Sequence, residues 1–212
     1  MGIGTKMSLA FALAILGGLT SMVYIAPQLL KTTFVQSSID ERWYKVKKGP
    51  NQQTVADTLA RIRKQMFKLI TYCMKHGPEE WKEPLQKINL DAIAESDEQV
   101  GHVAYTINKG EAIHFCVQKP SMDKTKDTPE IETDMNTFMF VAIHELAHVV
   151  TKSTGHTEEF WQNHYRLLRY AEKANVYTPV DYTRNPTSYC GVKINTSHKN
   201  ESNENNGAMK MN

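Results

Sequence analysis

The sequence is short of cysteine, of charge imbalance and of repetition, and each shortage closes a class of function. Three cysteines, Cys73, Cys116 and Cys190, stand in 212 residues. No two form a CxxC pair, which excludes a zinc knuckle. An odd number leaves at least one thiol unpaired and reads as a mostly reduced, cytosol-facing domain, with a single Cys116–Cys190 bridge left open. The net charge is +2, with 23% of residues charged, so the strongly basic domain of a dedicated DNA binder is missing. No internal repeat occurs, and a solenoid is excluded with it.

What is present divides the chain into four parts. In residues 1–30 an uncharged apolar run from Met7 to Ala26 lies between Lys6 and Lys31. Its length matches the roughly 20 residues a helix needs to cross a hydrocarbon core. A cleaved signal peptide is the competing reading, opposed by the thin positive n-region and the lack of an A-x-A site. We expect one transmembrane anchor here. Lys31, Arg42, Lys45, Lys47 and Lys48 follow the run while only Lys6 precedes it, which places the following domain on the cytoplasmic side. Residues 31–50 read as a juxtamembrane linker and 51–196 as the folded domain. Residues 197–212, rich in Asn, Ser and Lys, read as a disordered polar tail. Nothing indicates an oligomeric state.

Within the domain, Val55, Leu59, Ile62, Met66, Leu69, Ile70 and Cys73 recur at helical spacing, predicting an amphipathic helix over 53–76 that Gly77-Pro78 stops. A short helical piece is expected over 79–88. β-Branched and aromatic residues over 103–107 and 112–118, separated by Asn108-Lys109-Gly110, predict a hairpin. Two further helices are expected over 134–151 and from Thr157, a capping hydroxyl, to about Ala174. The fold class is therefore α+β, a small antiparallel sheet packed on helices.

The chemistry concentrates in His144-Glu145-Leu146-Ala147-His148, an HExxH on a helix. Residues four apart share one face, so both imidazoles can reach one Zn2+ at roughly 2.0–2.1 Å. Glu145 is then placed to act on a water whose pKa the metal lowers towards about 7. Val141, Ile143, Leu146, Ala147, Val149 and Val150 make this helix apolar almost all round. Two histidines and a glutamate are costly in such a helix unless they bind something. A catalytic zinc needs a third protein ligand. His156 is the candidate, after the turn Thr151-Lys152-Ser153-Thr154-Gly155, and Glu159 on the next helix is the alternative.

The segments His144-Glu145-Leu146-Ala147-His148 and Gly155-His156-Thr157-Glu158-Glu159-Phe160-Trp161 resemble the HELAH…GHxxEFW signature of WLM and SprT-like metallopeptidases, a group that includes proteases of DNA–protein crosslink repair. The resemblance covers about residues 140–170. It implies a zincin-like minimal metalloprotease domain, zinc on His144, His148 and His156, Glu145 as general base, and a protein or peptide substrate. Nucleic acid is a partner only by analogy with that group. Tyr189-Cys190-Gly191 resembles an element near the end of related proteins of large DNA viruses, so the expected anchor would lie in a viral or host membrane. A non-catalytic zinc module or a membrane scaffold that binds a protein partner is the competing reading. Tyr165, Tyr182 and Tyr189 are candidate oxyanion donors. Cys190 could close the open metal position, and His164 could lie behind the ligands or on the surface.

Overall fold

A computed structural model describes residues 31–96, 103–119, 129–132 and 134–195. Its elements run β1 (Thr32–Gln36), β2 (Trp43–Lys47), α1 (Gln52–His76), α2 (Glu79–Gln86), a 3-10 turn (Leu90–Ala92), β3 (Ile93–Glu95), β4 (Ala104–Ile107) and β5 (Ala112–Phe115). They continue with β6 (Gln118–Lys119), β7 (Glu130–Ile131), α3 (Met135–Val150), α4 (Glu158–Lys173), β8 (Thr187–Tyr189) and β9 (Val192–Ile194). The α+β expectation holds at this level.

Helix α1 follows the apolar spacing. Val55, Leu59, Ile62, Met66, Leu69 and Cys73 are buried, while Arg61, Lys64 and Lys68 face out. Helix α3 is different: every residue from Phe138 to Ala147 is buried, because α1, α2, α4 and β4 all pack against it. It is the centre of the core.

The central sheet has the order β3-β5-β4. It is mixed, not antiparallel as expected. β4 pairs antiparallel with β5 through the predicted hairpin, but β3, which lacks a clear alternating pattern, pairs parallel with β5. The turn between β4 and β5 holds Asn108 and Lys109 at φ 45° and 57° and Gly110 at φ 109°. Asn and Gly suit such left-handed backbone. A Cβ on Gly110 would also stand 3.0 Å from Ile88.

Residues 31–50 are not a linker. Strands β1 and β2 form an antiparallel hairpin, and Tyr44 and Val46 are buried in the core. Lys45 and Lys47 alternate with those inward residues, a strand period of two. The Lys47 N–H donates to Glu95 Oε2 at 2.6 Å, tying the hairpin to β3. The folded unit thus includes β1 and β2 and does not start at residue 51.

The expected transmembrane anchor and membrane localisation are also corrected. No helix among the described residues is long and apolar enough to cross a membrane. Helix α1 is long enough but carries charge along its outer face. Helix α3 is apolar, but its 16 residues rise about 24 Å against a hydrocarbon core of about 30 Å, and it is enclosed by protein. The run 7–26 that carried the expectation, and the tail 197–212, lie outside the described residues.

The expectation of a mostly reduced domain changes too. Cys116 and Cys190 form a disulfide, and only Cys73 is a free, buried thiol. The bridge anchors the hairpin β8–β9, whose turn is Cys190-Gly191 with both residues at positive φ. Beside it the Tyr189 hydroxyl donates to the Cys116 carbonyl at 2.7 Å, and the Tyr189 ring meets Phe138 of α3 edge-on.

Candidate metal centre

Three short-range devices bring the ligand candidates together. Asp134 caps α3 by accepting from Asn136 N and Thr137 N, which fixes where the helix starts and hence which face points to the sheet. The chain then reverses through Gly155, at φ +78°. Thr157 caps α4 by accepting from Phe160 N at 3.3 Å. His144 and His148 lie one turn apart on α3, and the reversal returns His156 to them. The ring centroids stand 5.0 Å apart for His144–His148, 5.0 Å for His144–His156 and 4.9 Å for His148–His156. His156 Nε2 is 3.0 Å from His144 Nε2. One nitrogen of each ring lies within 4.8 Å of the others. These three residues are therefore positioned to bind one metal ion.

Glu159 is not part of the set. Its carboxylate accepts from Lys152 N, Ser153 N and Ser153 Oγ, closing the 152–156 loop that carries His156. The Ser153 hydroxyl bond is the main reason its carboxyl stays below the ordinary carboxylate range. Its role is to shape the loop. Phe160 belongs to the core and Trp161 packs against it, and both also buttress the ligands. The Phe160 ring is 4.8 Å from His144, 4.3 Å from His148 and 4.8 Å from His156, and Trp161 stacks on His156 at 5.7 Å.

The electrostatics suit a cation. Burial holds His144 well below the ordinary histidine pKa, with the other three imidazoles adding to the effect. It lowers His148 to about 4 and also lowers His156. All three are neutral at pH 7, the state a metal requires. Glu145 is 3% exposed and burial pushes its carboxyl up to about 7. The Thr106 hydroxyl, donating to Glu145 Oε2 at 2.7 Å, works in the opposite direction.

The site opens into a cleft of about 440 Å3. One wall is the edge strand β4 with Tyr105 and Thr106, the other is the loop Ser153–His156, and the three histidines and Glu145 form the floor. Lys109 closes one end, its Nζ donating to the His148 and Thr151 carbonyls at 2.8 and 2.6 Å. Those carbonyls lie at the C-terminus of α3, where a cation is favoured.

Of the expected oxyanion donors, none lines this cleft. Tyr189 is spent on Cys116, Tyr182 is buried against Phe140, and Tyr165 lies on α4 beside Trp161. Cys190 is committed to the disulfide and cannot ligate a metal. His114 stacks on Tyr105 at 4.7 Å. His102 lies outside the described residues. His164 is buried, not on the surface. From the resemblance, the hairpin segment Tyr105–Cys116 was expected to edge the cleft, and Tyr105, Thr106 and Lys109 do line it; what sequence reasoning missed is the individual roles of Thr106 and Lys109. The Asn108-Lys109-Gly110 turn was the available signal for Lys109, since a hairpin tip beside a helix end places its lysine there.

No family model matches the chain. It is similar to the uncharacterized protein R325 of Acanthamoeba polyphaga mimivirus, 27% identical over 86% of this chain and 93% of that protein. It is also similar to the uncharacterized protein 042R of Invertebrate iridescent virus 3, 35% identical over 52% of this chain and 62% of that protein. A third relative, the uncharacterized protein 136R of Invertebrate iridescent virus 6, is 35% identical over 42% and 47%. No solved structure matches. The relatives are viral proteins, and their names carry no activity.

Proposed function

We propose that the chain is a zinc-dependent metallopeptidase of the WLM and SprT-like kind, hydrolysing peptide bonds in a protein or peptide substrate. The observation that carries this reading is the convergence of His144, His148 and His156 on one point with Glu145 beside them in an open cleft. Nitrogen donors about 2.1 Å from a tetrahedral ion stand roughly 3.4 Å apart. The 3.0 Å contact and the 4.8 Å limit bracket that spacing. The donor set, three neutral imidazoles, also suits zinc.

A zinc ion held there supplies a Lewis acid that acidifies water and polarises a carbonyl. The chain's own residues do the rest. Glu145, with a pKa of about 7, accepts a proton from the attacking water and returns it to the leaving amine. Thr106 fixes the carboxylate that does this. Among the described residues strand β4 pairs with β5 on one side, and its other side lines the cleft, where an extended peptide can be laid alongside it.

A purely structural zinc site is closed by a fourth protein ligand, whereas a catalytic one keeps a position open. Among the described residues only the three histidines make the group, which favours the catalytic reading over a non-catalytic zinc module. The test is hydrolysis of a denatured protein substrate by the zinc-loaded chain. Glu145→Gln should keep its zinc and lose hydrolysis by several orders of magnitude. Hydrolysis undiminished in that variant would overturn the mechanism.

A further inference from the structure

His164 is a buried histidine that the proposed mechanism does not use. It lies on α4, two turns after His156, and is 1% exposed. Its ring is enclosed by Phe140 at 5.3 Å, Phe160 at 6.0 Å, Trp161 and Tyr165 at 5.9 Å, and His144 at 5.5 Å. Neither ring nitrogen has a hydrogen-bond partner among the described residues, and the same is true of His144 Nδ1. A phenyl ring would fill this aromatic nest without stranding two polar atoms. An imidazole there costs stability unless its nitrogens are used.

A metal-ligating histidine gives the N–H of its second ring nitrogen to an acceptor, which fixes the tautomer and aims the ring. His144 Nε2 faces His156, so Nδ1 is the nitrogen left for that acceptor. No carboxylate or carbonyl takes it among the described residues. The imidazole that packs against His144 from the other helix, with both nitrogens open, is His164.

We propose that His164 is a positioning residue of the metal centre, accepting the Nδ1–H of His144 through one buried water. The two rings make no direct bond at their separation, and a bridging water is nearly as good enthalpically as a direct one. Helix α4 then serves the centre twice: its first turn carries the aromatic buttress Phe160, and its second the partner that orients the most buried ligand. The inference rests on His144, His148 and His156 being a metal centre, and not on the reaction catalysed there.

The test compares the full chain with His164→Phe, His164→Met and His164→Gln. Two quantities are read: the zinc dissociation constant, by competition with a chromophoric chelator, and the Tm of the metal-free protein. The apolar variants should keep the metal-free Tm close to that of wild type, because their side chains fill the same aromatic nest. They should bind zinc about 10–100-fold more weakly. His164→Gln, which retains an acceptor oxygen, should bind zinc at least 10-fold more tightly than His164→Met, and this comparison stands even if the phenylalanine variant does not fold. Equal zinc affinity in wild type, His164→Met and His164→Gln overturns the assignment while leaving the metal centre intact. A wild-type chain that binds no zinc overturns the metal centre itself.

Discussion

The Thr106 hydroxyl donates to Glu145 Oε2 at 2.7 Å, joining the edge strand that walls the cleft to the helix that carries the candidate base. The bond favours the ionised carboxylate, against the burial that raises its pKa. Thr106→Val should therefore shift the acid limb of the pH–kcat/KM profile to higher pH. It should also lower kcat/KM at pH 7 by about 10–100-fold, the worth of a hydrogen bond to a charged group. Thr106→Ser should restore both. A valine variant with an unmoved profile would show that the bond does not act on the base.

Burial of Glu145 also predicts how the metal-free protein responds to pH. Its folded pKa of about 7 is raised above the ordinary value of 4.5. Between those values the unfolded chain is ionised while the folded chain still holds the proton, so stability falls as pH rises from 4.5 to about 7. Glu145→Gln lacks this loss, and the lowered histidine pKa values are common to both proteins. The Tm advantage of Glu145→Gln over wild type should thus grow across that window and level off above it. A constant difference from pH 4.5 to 8 would contradict the burial of the carboxyl.

The bridge between Cys116 and Cys190 spans 74 residues. Closing a loop of that size constrains the unfolded chain by about 4 kcal/mol. Reduction, or the double variant Cys116→Ser with Cys190→Ser, should lower the unfolding free energy by roughly that amount in denaturant titration. Thiol counting on the unreduced, denatured chain should find one thiol, that of Cys73. Three thiols would show that the bridge does not form.

Lys109 holds the end of α3 by donating to two carbonyls, those of His148 and Thr151. Lys109→Met should destabilise the metal-free protein by about 1–2 kcal/mol through the loss of a charged donor at a helix C-terminus. Hydrogen exchange should quicken first at Val149–Thr151. Unchanged protection there would mean that the lysine is dispensable to the helix end.

The parts of this molecule legible in the sequence are those governed by local periodicity and capping. The spacing of Val55, Leu59, Ile62 and Met66 marked α1, Thr157 marked the start of α4, and Asn108-Lys109-Gly110 marked the turn. His144 and His148 were legible because a helix fixes residues four apart, and His156 because a short turn leaves it few other places. What the sequence hid depends on contacts between distant segments. Tyr44 and Val46 face the core only because β2 packs over α1 and beside β3. Thr106 looks like any strand threonine until β4 lies over Glu145. His164 reads equally as a surface or interior residue until Phe140 and Trp161 enclose it. Glu159 invited a ligand role from its position, and the competing bonds to Ser153 and Lys152 are tertiary facts.

The most direct test of this account is the zinc content of the purified full chain beside His144→Ala, His148→Ala and His156→Ala, measured by mass spectrometry of the metal after dialysis against a weak chelator. Wild type should retain about one zinc per chain and each variant should lose most of it, since each removes one of only three donors. Retention of a full equivalent by His156→Ala together with His148→Ala would place any metal elsewhere and contradict the convergence on which the proposed enzyme depends.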